Sequence, residues 1–254
     1  MSQPENLIAG AAGTPASVWR AATQLQRLPR IRSEELLPPG CRLVVVAPHP
    51  DDEVLACGGL LASLVEGAHE GLLISVTDGE GSHPGSLRWT PQRLRNTREV
   101  ESLTALTRLG LDLQRWDWQR LHLPDSGVKT LDLAERLRAL IRPGDQLIST
   151  WRQDGHCDHE ATALACAQVA AGCGARHIEA PVWAWHWAVP GDLRLPWARA
   201  RRLDLDEAAV QRKREAIQAH ASQLEGPEPV LGERLLETLL QPFEMFFLPA
   251  GGAP

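Results

Sequence analysis

The stretch Leu43–Gly59, LVVVAPHPDDEVLACGG, limits what this chain can fold into more than any other. Leu43, Val44, Val45, Val46 and Ala47 form a short apolar run rich in β-branched residues, which predicts a strand covered on both faces. Pro48 and Pro50 end that strand and stiffen the loop after it. His49, Asp51, Asp52 and Glu53 then fall within five positions. In open α/β sheets, functional groups gather at the carboxyl ends of strands, where this cluster would stand. A solvated acidic turn would account for the carboxylates but not for an imidazole fixed between two prolines. The segment therefore predicts a metal or acid–base site.

Around this stretch, apolar runs alternate with helical patterns. A helix capped by Thr14 or Ser17 is expected as far as Leu28, with Val18, Ala21, Leu25 and Leu28 on its buried face, followed by a connector over Pro29–Cys41. Residues 1–13 read as loosely held. Strands are expected at Leu72–Thr77, Leu113–Trp118, Gln146–Thr150, Glu179–Trp187 and Phe243–Leu248. Helices are expected over Gly58–Glu66, Arg93–Leu109 (closed by Gly110), Leu131–Ile141, His159–Ala171 and Glu207–Gln223. This alternation predicts an α/β fold, Rossmann-like, with a mostly parallel sheet flanked by helices. No repeat or linker divides the chain, so residues 1–254 read as one domain whose first ~40 residues are an extension.

A second cluster follows the Gln146 strand: Gly155-His156-Cys157-Asp158-His159-Glu160. Alone, its HxxH reads equally well as a helix start capped by Asp158. In a doubly wound sheet, however, separate strand ends meet in one crevice. His49, Asp51 and Asp52 would there face His156, Asp158 and His159. Catalytic zinc takes three imidazole or carboxylate ligands and keeps one open position. Two histidines and an aspartate would meet that need and leave other groups for proton transfer.

These residues give the chain its resemblance to a known family. Pro48-His49-Pro50-Asp51-Asp52-Glu53 and His156-Cys157-Asp158-His159 resemble the two hallmarks of the PIG-L, or LmbE-like, metal-dependent N-deacetylases. Weaker matches are Thr77–Gly81, Arg98 with Glu101, Asp125-Ser126-Gly127, Lys213-Arg214 and His220–Gln223, so the likeness runs from about Leu43 to Gln223. It implies that His49, Asp52 and His159 bind a metal, usually zinc, with ferrous iron or another divalent ion as alternatives. It implies Asp51 as general base, His156 as oxyanion stabiliser and Asp158 as the residue that orients a histidine. Arg98 and Asp125 match positions that grip the sugar. The implied substrate is an N-acetylglucosamine-type small molecule or glycoconjugate. A tyrosine assists some relatives before the second hallmark; this chain has none, and Asp154 stands near that place.

The chemistry fits. A site zinc brings its water's pKa to about 7, Asp51 can take that proton, and an imidazolium at His156, its pKa raised by Asp158, would face the oxyanion. Glu53 reads as a contact to backbone amides or as a further acid. Trp183, Trp185 and Trp187 read as one face of a strand, packed in the core, against a second copy in a homo-oligomer, or on a sugar. Trp89 reads as a sugar contact or loop packing, Cys157 as a packing residue, and Lys213 as part of a solvated helix face.

Composition narrows the rest. The net charge of −6 argues against nucleic-acid binding. The five cysteines are odd in number and lack a CxxC pair, which predicts a reducing cytoplasm rather than a disulfide framework. No apolar run is long enough to span a membrane. The competing readings are a hydrolase of another amide with the same site, or a catalytically silent nucleotide-binding module. Against the module, there is no GxGxxG, and three acids before the helix that follows the first strand would repel a pyrophosphate.

Overall fold

In the computed structural model, the described residues are Ile8, 13–65, Gly67 and 69–250. The expected loose residues 1–13 lie almost wholly outside them, as does Glu66, the expected end of the helix after the first strand. In chain order the elements are α1 (Ala16–Ala21), α2 (Thr23–Gln26), α3 (Ser33–Leu36), β1 (Leu43–Ala47), α4 (Asp52–Ser63), β2 (Gly71–Thr77), α5 (Pro91–Leu109), β3 (Trp116–Leu123), α6 (Thr130–Arg138), β4 (Gln146–Thr150), α7 (Cys157–Cys173), β5 (Arg176–Ala180), α8 (Ala184–Trp187), β6 (Ala200–Asp204), α9 (Glu207–Ile217), α10 (Ala221–Leu224), α11 (Glu233–Leu239) and β7 (Phe243–Phe247).

The strands form one sheet of order β3-β2-β1-β4-β5-β7-β6. The first five are parallel, and β7 and β6 close one side antiparallel. β1 lies between β2 and β4, so the chain winds outward from it in both directions. That places a crevice at the carboxyl ends of β1 and β4, the switch point where such folds bind ligands. Alternation along β1 serves two cores. Val44 and Val46 pack with Leu133, Leu137, Cys166 and Val169 of α6 and α7. Leu43 and Val45 pack with Leu60, Leu106 and Ala216 of α4, α5 and α9.

Several elements differ from expectation for local reasons. The N-terminal helix is two short helices, α1 and α2, that bury Ala16, Trp19 and Leu25 rather than Val18 and Ala21, and Trp19 Nε1 donates to the Trp185 carbonyl (3.0 Å). Residues 29–31 run on to bond the edge of β6 through Arg202, so the extension is built onto the sheet. The third strand begins at Trp116 because Asp112 turns the chain, its Oδ1 accepting from the Gln114 amide (2.9 Å). The segment Glu179–Trp187 is not one strand: β5 ends at Ala180 and α8 follows, so the three tryptophans do not form a stripe. The helix expected over Glu207–Gln223 stops at Ile217 and restarts as α10.

Lys213 is buried at 1% exposure, not on a solvated face. α4 is broken at Cys57 (φ −144°, ψ 23°), which frees backbone groups inside the protein. Glu244 of β7 accepts from the Gly59 and Leu60 amides (2.7 and 2.9 Å), and Lys213 Nζ bonds the Leu55 carbonyl (2.9 Å) and Glu244 Oε1 (2.7 Å). A Cβ at position 59 would press on the Leu205 methyl groups and crowd the Glu244 carboxyl, so glycine leaves room for this close approach.

Candidate active site

α4 starts at Asp52, earlier than the sequence suggested, which puts Asp52 and Glu53 in its first turn beside His49. The His49–Pro50 turn is anchored to β2, whose Thr77 donates both its amide (3.0 Å) and its Oγ1 (2.9 Å) to the Pro48 carbonyl. The second motif opens α7. His156, not Asp158, caps that helix, its Nδ1 accepting from the Asp158 amide (3.2 Å).

The two motifs meet. Asp52 Oδ2 lies 3.1 Å from His49 Nδ1 and 3.2 Å from His159 Nε2. Each imidazole is held from behind by another carboxylate. His49 Nε2 lies 3.2 Å from Asp158 Oδ2, and His159 Nδ1 lies 2.8 Å from Asp154 Oδ2. Asp154, a helper that residue spacing did not reveal, is fully buried and accepts from the amides of Val182, Trp183 and Ala184. Asp158 is fixed by the amides of Ser126 (2.6 Å) and Val128 (3.1 Å). Two non-glycine residues take the left-handed region on the way to those amides, His122 (φ 53°) near the end of β3 and Ser126 (φ 59°) in the loop after it. The histidine that Asp158 orients is therefore His49, while its backbone amide sets the His156 tautomer.

The donor set suits a divalent cation. His159 Nε2 is buried and has no hydrogen-bond partner, although it faces Asp52. An imidazole held at one nitrogen by a carboxylate and aimed with the other at a shared carboxylate is the arrangement of a metal ligand with its supporting group. Among the described residues, His49, His156 and His159 offer donor atoms within 4.8 Å of one another, as do His49, Asp125 and Asp158, and His156, Cys157 and Asp158. Imidazole and carboxylate donors fit zinc or ferrous iron.

Proton affinities in this crevice are pulled apart. Burial pushes the Asp51 carboxyl up to about 6, against the pull of Arg98. Burial would also raise Asp52, but His159 and His49 overcome it and hold that carboxyl well below the usual range. Burial works to lower His159, yet Asp52 and Asp154 bring it up to about 9. Burial pushes Glu53 up to about 8, with Asp51 and Asp52 adding to the rise; its Oε2 accepts from the Asp51 amide (3.2 Å), the structural role rather than that of a free acid. His156 departs from expectation. Burial and the two neighbouring histidines bring it down to about 4, outweighing Asp158, so it is neutral near pH 7.

Arg98 does not stand open to a sugar. It is 2% exposed, and its guanidinium bonds Asp51 Oδ2 (2.9 Å), the Pro50 carbonyl (2.9 Å) and the Gly79 carbonyl (3.1 Å). Asp125 stands at the wall of the crevice, with Oδ2 on the Gly81 amide (2.7 Å) and Oδ1 3.4 Å from His49 Nε2. Trp89 packs between Arg88 and Arg93 and is 9% exposed, so it serves its loop. Cys157 is exposed at the start of α7, not a packing residue. Among the described residues, no helix is long and apolar enough to cross a membrane.

Known proteins resemble this chain in sequence or in fold. A 2′-N-acetylparomamine deacetylase of Streptomyces fradiae is 35% identical over 115 residues, which are 45% of this chain; the chain covers 38% of that protein's length. A conserved protein of Thermus thermophilus has the same fold at TM-score 0.59 and 24% identity, over 84% of this chain and 96% of its own. The N,N′-diacetylchitobiose deacetylase of Pyrococcus horikoshii does so at TM-score 0.61 and 17% identity, over 79% of this chain and 75% of its own. The model of one family, PIG-L (GlcNAc-PI de-N-acetylase), matches residues 44–170, half of the 254 and inclusive of both motifs, and the chain belongs to that family.

Proposed function

We propose that the chain, acting as one catalytic domain, is a zinc- or iron-dependent N-deacetylase that releases acetate from an N-acetylglucosamine-type small molecule or glycoconjugate. The observation that carries this reading is the convergence of His49 Nδ1 and His159 Nε2 on Asp52 Oδ2, next to a buried Asp51 with a raised pKa. His49, Asp52 and His159 would hold the metal. When bound, zinc supplies Lewis acidity that polarises the amide carbonyl and acidifies a water.

The protein's own groups do the rest. Asp51, ionised above about pH 6, takes the water's proton and returns it to the departing amine. Arg98 holds that carboxylate in place. His156 keeps its proton on Nε2, because Nδ1 accepts the Asp158 amide, and donates from there to the developing oxyanion as a neutral imidazole. Asp125 contacts the sugar beside His49. The family and the deacetylase names of the relatives support the acetyl group and the sugar.

The test is acetate release from a panel of N-acetylglucosaminides by enzyme of measured metal content, stripped and reloaded. Alanine at His49, Asp52 or His159 is expected to remove metal and activity together. Full metal occupancy in all three variants would sink the ligand assignment.

A further inference from the structure

α5 and α10 meet in a buried polar layer behind Asp51. Glu101 of α5 accepts from the Ser222 amide (2.7 Å) and the Ser222 hydroxyl (2.7 Å), which docks α10 on that face of α5. Gln223 Nε2 in turn donates to Ser222 Oγ (2.8 Å). Arg98 and Ser102 stand one helical turn apart on the buried side of α5, and His220 immediately precedes α10. Arg98 is 2% exposed and Gln223 1%, while Ser102 and His220 are fully buried.

All four residues bring polar atoms that have no hydrogen-bond partner: Arg98 Nε, Ser102 Oγ, both ring nitrogens of His220, and Gln223 Oε1. Buried polar groups are nearly always bonded, and ordered water serves where protein groups do not. The chemistry of the set is complementary to water. Arg98 Nε–H donates, Gln223 Oε1 accepts, and the Ser102 hydroxyl does either. His220 does both: burial and the Arg98 charge bring it down to about 3, against the pull of Asp52, so the ring is neutral and keeps one N–H and one lone pair.

Arg98 links this layer to the crevice. Its terminal nitrogens bond Asp51 Oδ2, the Pro50 carbonyl and the Gly79 carbonyl, and Nε is the nitrogen still to be satisfied. A bond at Nε stops the guanidinium from turning about its Cδ–Nε axis, and so keeps Nη2 on Asp51. We propose that the layer binds ordered water and that His220 is a positioning residue: through the water it fixes Arg98, and through Arg98 the carboxylate of Asp51. The part of Asp51 as base rests on the deacetylase reading; the water site does not.

The experiment compares wild type with His220→Gln, which keeps a donor and an acceptor, His220→Leu, which keeps neither, and Ser102→Ala. Crystal structures of the zinc-loaded proteins should show a water about 3 Å from Arg98 Nε in wild type and in His220→Gln, and none there in His220→Leu. In acetate release, kcat should fall about tenfold in His220→Leu and about threefold in Ser102→Ala, less than the roughly 10²-fold of a full 1 Å misplacement. KM and metal content should stay as in wild type. His220→Gln should recover kcat to within about twofold, a rescue that separates positioning from packing.

A histidine that only fills space would lower the urea midpoint in both His220 variants and leave the kcat of the folded protein unchanged; that result overturns the proposal. So does an Arg98 Nε without water in wild type, or a His220→Gln as slow as His220→Leu. If His220→Leu does not fold, Ser102→Ala carries the same comparison at smaller amplitude. If wild type cleaves no N-acetylglucosaminide, the deacetylase reading fails on these sugars. Water held in wild type and His220→Gln but lost from His220→Leu would still support the site.

Discussion

α4 meets two buried clusters of charge, and they are built on opposite rules. At its first turn Asp51, Asp52 and Glu53 crowd against His49 and His159, like beside like, and proton affinities are forced apart: Asp51 up to about 6, Glu53 up to about 8, Asp52 far down. One ring nitrogen, His159 Nε2, is left without a hydrogen bond. At its kink, one cation meets one anion, and Lys213 and Glu244 are both bonded to backbone as well as to each other. Burial of charge is common to both clusters. What sets the first apart as the candidate site is spare bonding capacity; what sets the second apart as scaffold is that its charges are matched and bonded. Buried ion pairs of the second kind are strongly destabilising to break, because the survivor is left unpaired.

The largest expected effect belongs to the first cluster. Asp51→Asn should keep its metal and lose kcat by about 10³-fold, within the range of general acid–base catalysis. Steady-state kinetics alongside metal analysis decides. Loss of metal, with activity restored by excess zinc, would make Asp51 a ligand and Asp52 the base. In wild type, activity should rise with pH through about 6 as Asp51 ionises, and Arg98→Lys should move that limb upward by weakening the bond that favours the carboxylate.

The second cluster should behave as scaffold. Glu244→Ala leaves the Lys213 ammonium and the Gly59 and Leu60 amides buried without their acceptor, and should cost about 3–5 kcal/mol of stability by urea denaturation. The folded fraction should keep its kcat within a few-fold. A fall in kcat as deep as that of Asp51→Asn, at unchanged stability, would erase the distinction between the clusters.

His156 tests the site at a finer scale. A single oxyanion donor is worth about 10²-fold or more, so His156→Ala should lose roughly that much while keeping its metal. The imidazolium expected at His156 from the sequence would titrate on the alkaline limb. The pKa near 4 reverses this: the group is neutral throughout the working range, and the variant should leave the alkaline limb where it is. An alkaline limb that disappears in His156→Ala would restore the imidazolium.

The same contrast governs what could be read from the sequence. Each half of the first cluster is contiguous, His49–Glu53 after β1 and His156–His159 at the start of α7, so both halves and their sheet could be read as candidates although His49 and Asp158 stand 109 positions apart. The second joins residues 31 positions apart, and nothing in an amphipathic, charged helix distinguishes Lys213 from its exposed neighbours. Asp154 was hidden for a related reason: its partners are backbone amides of a later segment. Those amides also explain the misread tryptophans. Val182, Trp183 and Ala184 turn their N–H groups onto one buried carboxylate, which an extended strand cannot do, so the alternation of Trp183, Trp185 and Trp187 gives way to a helical turn. β6 carries Arg201, Arg202 and Asp204 among its five residues, a pattern that reads as surface until the N-terminal segment and β7 cover its edges.

The smallest expected effect comes from a buried titratable group that belongs to neither cluster. His177 lies on β5, with Nε2 2.8 Å from Ser149 Oγ, and faces Glu179 on its own strand and Arg152 and Arg199 from neighbouring segments. Burial brings it down to about 4, the two arginines adding to the fall and Glu179 opposing it. Its folded pKa is thus below the value near 6.5 of an unfolded chain. Between about pH 6.5 and 4 the unfolded state binds the proton that the folded state refuses, so stability falls as pH falls, by at most about 1.4 kcal/mol per pH unit. His177→Gln removes that proton. Asp51 and Glu53, raised in the fold, push the total the other way over part of the same window, so the difference between wild type and variant is the quantity to measure. In metal-stripped protein, wild type should lose about 1 kcal/mol relative to His177→Gln between pH 6.5 and 5.5, while both keep the same ligand set for metal. A difference that stays flat with pH would mean that His177 takes its proton within the fold, and that burial away from the site does not suffice to keep an imidazole neutral in this protein.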